Sequence, residues 1–223
     1  LSKVRCLFYP CAGDDIDSPV RAFAAIIDEF WFVDVQTYVR RLPQLRGIRA
    51  EYVESSRLEI ANSDLVVNSR RFKYPHFNHM VTLNFVTGDG ERAFKELFCQ
   101  EGVPRELSIF FHRGDSQGES GSNVYWLHDL DSDGNPLGHL KSVISTLASP
   151  GFICTDGSNA IDHFRSHFEQ QDAEPDTHVA LSPFECHGSI LTPIGSLDVK
   201  CGPTVVYQAI KCDNIEGSNS AAP

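Results

Sequence analysis

Val4-Arg-Cys-Leu-Phe-Tyr9, Pro10-Cys-Ala-Gly13, Asp14-Asp-Ile-Asp-Ser-Pro19 and Phe30-Trp-Phe-Val-Asp34 follow one another at the start of the chain, and their reading decides the fold. Val4–Tyr9 is a short apolar run of the kind a buried strand needs, and Pro10-Cys-Ala-Gly13 punctuates its end. Asp14–Pro19 carries the marks of a helix start, with Ser18 as N-cap and Pro19 at the first helical position. Val20–Ile27 is apolar all round, which suits a helix packed on a sheet. Phe30–Asp34 is a second buried strand, and it ends in a carboxylate. Strand, turn, capped helix and strand within roughly thirty residues is the pattern of a βαβ unit.

Outward from this unit the alternation continues less regularly. Tyr38–Arg46 has helical character, Leu58–Val67 reads as a strand, and His79–Val86 alternates in the strand manner. Gly88-Asp-Gly90 turns into an amphipathic helix, Glu91–Gln100, and Leu107–Phe111 is another buried strand. Leu137–Leu147 has helical spacing ended by Pro150-Gly151. Phe152–Thr155 reads as strand, Asp156–Asn159 as loop and Ala160–Phe168 as helix. The remainder changes character: Val179–Phe184, Ser189–Leu191 and Thr204–Cys212 are strand-like segments joined by Gly/Pro turns. The expectation is a single α/β domain over residues 1–215, followed by a frayed tail at 216–223. Its doubly wound, mostly parallel sheet is covered by helices on both faces, with an antiparallel C-terminal hairpin at one edge.

Composition narrows the function classes. A 223-residue chain with 41% hydrophobic and 22% charged residues is ordinary for a globular protein, and no apolar run approaches the length of a membrane span. The formal charge of −11 disfavours a nucleic-acid backbone as the main partner, because phosphate binding is driven by Lys/Arg neutralisation. Two local basic groups stand out, Arg40/Arg41/Arg46/Arg49 and Arg70/Arg71/Lys73, and both read as solvated faces of a helix or hairpin. Seven cysteines, an odd number without a CxxC pair, suit a reducing, cytoplasmic setting. A small-molecule ligand is the expected partner.

In open α/β sheets ligands bind beyond the carboxyl ends of the strands, where helix starts and loops gather. The polar residues that follow the expected parallel strands are therefore the candidates. Gly13, Asp14 and Asp15 follow the first strand and Asp34 ends the second. His112, Arg113 and Asp115 open a glycine-rich loop reaching Ser122, and Asp156 and Ser158 follow the strand ending at Thr155. A carboxylate at the end of the second strand is placed to accept both hydroxyls of a ribose. His112 and Asp115 are the candidates for acid–base or acceptor-orienting roles, and Arg113 for a ligand carboxylate. The alternative for Asp17, Ser18, Ser158 and Asn159 is that they cap turns and helices, and for the loop that Arg113 pairs with Asp115 or Glu119. His163 and His167, His76 and His79, and Cys186-His187 lack the second ligand pair of a metal site. Cys11 suits a thiolate only if a helix terminus lowers its pKa.

The order of these pieces resembles the class I S-adenosylmethionine-dependent methyltransferases, a Rossmann-like family. Tyr9-Pro-Cys-Ala-Gly-Asp-Asp15 stands where that family has its first glycine motif, here with the single Gly13. Asp34 stands at its ribose-binding acid. Leu147–Asp156 is similar to its segment before the fifth strand, and Gly202–Ile210 to its final edge strand. The resemblance implies S-adenosylmethionine as cofactor, held by Gly13, Asp14, Asp15, Asp34, Arg113, Asp156 and Ser158. It also implies methyl transfer to a small molecule or protein near His112 and Asp115. Two other readings fit the same residues: a non-catalytic module binding a nucleotide-derived ligand or a protein, and a metal-dependent hydrolase built on Asp14, Asp15, His112 and Asp115.

Overall fold

Runs of large apolar residues that alternate faces without a polar break can be buried only as central strands, and the computed structural model puts them there. It describes residues 3–13, 15–35, 51–59, 65–74, 79–100, 102–113, 125–130, 138–158, 160–161, 163–164, 182–199 and 202–212. The chain divides into two compact units, Leu1–His112 and Arg113–Pro223.

In the first unit, β1 (Val4–Pro10) pairs in parallel with β2 (Glu29–Asp34) on one side and β6 (Arg105–His112) on the other. β2 in turn pairs in parallel with β5 (His79–Thr87). β3 (Glu51–Glu59) and β4 (Val66–Tyr74) form an antiparallel hairpin, with β4 on the outer edge of β5. Aromatic packing accounts for the core. On one face Phe8 meets Phe110 and Phe94 of α2 (Gly90–Phe98), with ring centroids 6.1 and 5.3 Å apart. On the other face Phe111 lies 4.8 Å from Tyr9 and 6.4 Å from Phe23 of α1 (Asp17–Phe23). Each fully buried ring of this kind contributes about 1.5–3 kcal/mol. Asp89 caps α2 by accepting the Arg92 amide at 2.7 Å.

The second unit is antiparallel. β10 (Gly202–Lys211) lies between β7 (Leu147–Thr155) and β9 (Ser189–Val199), and β8 (Phe184–Cys186) pairs with β9. Its one helix among the described elements, α3 (Leu140–Thr146), buries Leu140, Val143 and Ile144.

The expected doubly wound, mostly parallel Rossmann-like sheet with a C-terminal hairpin at one edge is therefore corrected. Ten strands and three helices make up the described elements. The helices are seven, nine and seven residues long. The β3–β4 hairpin, which follows β2 in chain order and precedes β5, adds antiparallel strands to the sheet itself. Such strands need only a short turn, whereas a parallel pair needs a crossover. The single strand expected over Leu58–Val67 straddles the end of β3 and the start of β4. In the second unit Pro150-Gly151 does not end a helix. The backbone extends from Leu147 onward, and a Cβ on Gly151 would stand 2.5 Å from Leu147 Cγ and 2.6 Å from Ala148 O. Only glycine fits there. Ser18 is likewise not an N-cap: Ile16 holds that position, and Ser18 Oγ donates to Asp15 Oδ1 at 2.8 Å. The helix expected at Tyr38–Arg46 and the tail at 216–223 lie outside the described residues.

A charged clasp holds the amino ends of these strands. Asp28 accepts the Arg5 amide at 2.9 Å and the Arg5 guanidinium twice at 3.2 Å, with His79 Nε2 at 3.5 Å. Burial opposes ionisation of Asp28, but the Arg5 hydrogen bonds and charge, joined by His79, outweigh it and hold its pKa below the ordinary 3.8. The carboxylate therefore stabilises the fold fully above about pH 4, and this contribution fades as the pH falls through the lowered folded-state value. Asp28→Asn is expected to cost about 1 kcal/mol at pH 7. Urea melts of both proteins from pH 6 to pH 3 check this: the gap between them narrows toward the acid end.

Candidate functional site

Because β1, β2 and β5 run side by side in one direction, their carboxyl ends share a rim, and the turns that follow β1 and β5 both bond to β2. Ala12 N–H donates to Val33 O at 3.2 Å, and Gly88 N–H donates to Asp34 O at 3.0 Å. The central bond joins Gly13 N–H to Asp34 Oδ2 at 3.1 Å. The turn after β1 requires left-handed backbone at Cys11 (φ 54°) and Gly13 (φ 51°), and Gly88 after β5 has φ 147°. These two glycines serve different needs. A Cβ on Gly88 would lie 2.5 Å from Leu65 Cδ2, whereas a Cβ on Gly13 would have no atom within 4 Å. Gly13 thus presents its backbone to open space beside the half-buried Asp34 carboxylate.

Asp15 stands on the same turn, accepting Ser18 Oγ at 2.8 Å and Tyr9 Oη at 3.4 Å. Of the residues expected from the sequence, the first unit brings Gly13, Asp15 and Asp34 to this rim. His112 closes β6 and is fully buried, its ring 6.4 Å from that of Phe110 at 17°. In the second unit Arg113 is buried. Asp156 and Ser158 close their own turn there: Asp156 Oδ1 accepts the Ser158 amide at 3.0 Å, and Thr155 Oγ1 accepts the Gly157 amide at 3.0 Å. Asp14 and Asp115 lie outside the described residues. Thr87 and Gly88 are further rim residues. The Gly88-Asp-Gly90 turn is their signal in the sequence, and it points to the rim only because β5 runs parallel to β2.

Three buried thiols are unsuited to nucleophilic chemistry. Burial, with the nearby Glu29 charge, pushes the Cys6 thiol far up, burial alone does so for Cys154, and burial with Asp129 takes Cys186 to about 11. Among the described residues no group of three or more His, Cys, Asp or Glu is placed to hold a metal ion. No helix among them is long and apolar enough to cross a membrane.

No protein-family profile and no curated protein matches the chain. Among solved structures, it is similar to the antibiotic-resistance methyltransferase Kmr, at 12% sequence identity and a TM-score of 0.40 over 94% of this chain and 88% of that one. A likeness this loose carries no weight for the chemistry.

The rim geometry makes a stability prediction. Gly13→Ala meets no steric obstacle, so its cost is the left-handed backbone alone, about 1–2 kcal/mol. Gly102, with φ 76° and nothing within 4 Å, lies before β6, away from the rim. Gly102→Ala is expected to lose a similar amount in equilibrium denaturation.

Proposed function

We propose that the rim formed by β1, β2 and β5 binds S-adenosylmethionine, and that the chain transfers its methyl group to an acceptor. The observation that carries this reading is the Gly13–Asp34 hydrogen bond beside open space. One Asp34 oxygen takes the Gly13 amide, which fixes the carboxylate's orientation at the end of β2. A half-buried carboxylate oriented in this way at the carboxyl end of a strand suits a ribose diol. The open backbone at Gly13 lets a ligand approach without meeting a side chain. When bound, the cofactor supplies the electrophilic methyl group. The residues of this chain then have to hold and align two molecules, and alignment alone lowers such a barrier substantially. The burial of His112 is compatible with that division of labour, because no strong base is required. It also favours a second reading, in which the rim binds a nucleotide-derived ligand without catalysis; methyl transfer by the wild type would exclude it.

Calorimetry with S-adenosylhomocysteine tests the proposal. The wild type is expected to bind saturably. Asp34→Asn keeps an acceptor for the Gly13 amide but loses the charge, and it should weaken binding at least tenfold, because hydrogen bonds to a charged group are worth about 1.5–3 kcal/mol. Gly13→Ala should weaken binding while Gly102→Ala leaves it unchanged. No heat from the wild type at high protein concentration, or equal affinity in Asp34→Asn, would contradict the reading.

A further inference from the structure

Side chains on a strand alternate faces, and directly paired residues of neighbouring strands share one. The registers of β2, β5, β4 and β3 therefore trace rows across the first unit. One row runs Phe32, Phe85, Asn68, Arg57; the row nearer the rim runs Asp34, Thr87, Val66. A third runs Phe30, Leu83, Arg70, Ser55. Arg57 and Arg70 thus lie on the same face of the sheet as Asp34. Diagonal neighbours across the hairpin are roughly 7–8 Å apart, with Ser55 and Asn68 completing the patch.

The two arginines differ from their neighbour. On the opposite face Arg71 is paired with Glu54 at 3.2 Å. Among the described residues neither Arg57, which is exposed, nor Arg70, which is half-buried, has a carboxylate partner. Two adjacent guanidiniums with no carboxylate partner among the described residues stand out in a chain of net charge −11. They repel each other, and a shared anion relieves that repulsion. Guanidinium forks match the oxygens of a phosphate, and the Ser55 hydroxyl and Asn68 amide add neutral donors. The overall negative charge opposes a polyanion, so the occupant that fits carries one or two phosphates.

We propose that this hairpin face binds the phosphate group of a small phosphorylated molecule. Resting on the rim reading above, that molecule is the methyl acceptor. By strand spacing and rise, Arg57 and Arg70 are each roughly 16 Å from Asp34 along the same face. On the same face the half-buried Asn68, Val66 and Thr87 lie between the arginines and Asp34, and an acceptor anchored there extends toward the rim along them.

The test uses the full chain, inorganic phosphate as probe, and NMR of the arginine Nε–Hε groups. Phosphate is expected to shift the Arg57 and Arg70 signals saturably. The double variant Arg57→Gln, Arg70→Gln should raise the dissociation constant at least tenfold, and Arg57→Lys, Arg70→Lys, which keeps charge without the fork, should fall between. The Gln variant should keep wild-type affinity for S-adenosylhomocysteine and a wild-type circular dichroism spectrum. Unmoved signals, the same shifts with sodium chloride at matched ionic strength, or undiminished phosphate binding by the Gln variant would each overturn the phosphate site. Failure of the wild type to bind S-adenosylhomocysteine, with phosphate binding intact, would remove the acceptor role and leave the anion site standing.

Discussion

The bond between the Gly13 amide and the Asp34 carboxylate, 3.1 Å long, ties the turn that leaves the central strand to the end of the strand beside it. It exists only because β1 and β2 run parallel and in register, with Tyr9 opposite Phe32 and Pro10 opposite Val33. That register is imposed by burial. A one-residue slip would exchange the face that carries Tyr9 and Phe32 for the one that carries Phe8 and Trp31. The aromatic packing against α1 and α2 would then be lost on both sides. The polar rim is thus positioned by apolar residues one turn of chain away.

The two ends of the parallel strands are built differently. At the amino ends charges are satisfied within the protein: Arg5 with Asp28, and Arg105 with Glu29 at 3.0 Å, its guanidinium 4.9 Å above the Trp31 ring. These contacts hold strands together. At the carboxyl ends the described residues carry bonds from backbone to backbone and from backbone to carboxylate, and the turn at Gly13 faces open space. A surface closed by ion pairs suits stability, and one that leaves backbone accessible suits a ligand.

The opening βαβ unit was legible in the sequence because its signals are local: two apolar runs, a Pro-Cys-Ala-Gly break and a terminal Asp. Gly13, Asp15 and Asp34 could be named as neighbours for the same reason. The hairpin of β3 and β4 was not legible. Its exposed residues, Val53 to Arg57, show no apolar stripe, so the pairing that defines it is a long-range fact. The first half of β7 is not legible, because Pro150-Gly151 resembles a helix stop, while in the fold Gly151 answers a close approach by Leu147. Ser18 looked like a cap for want of knowing that Asp15 would engage it. Thr87 and Gly88 are not legible as rim residues because strand direction is not written in any single segment.

The account stands on the Gly13–Asp34 bond being formed in solution, and hydrogen exchange of the Gly13 amide measures it directly. The account predicts an amide that exchanges well below its intrinsic rate in the wild type and speeds up at least tenfold in Asp34→Ala, with Gly102 unchanged. Exchange of Gly13 at the intrinsic rate in the wild type, or a rate indifferent to the loss of the carboxylate, would contradict it.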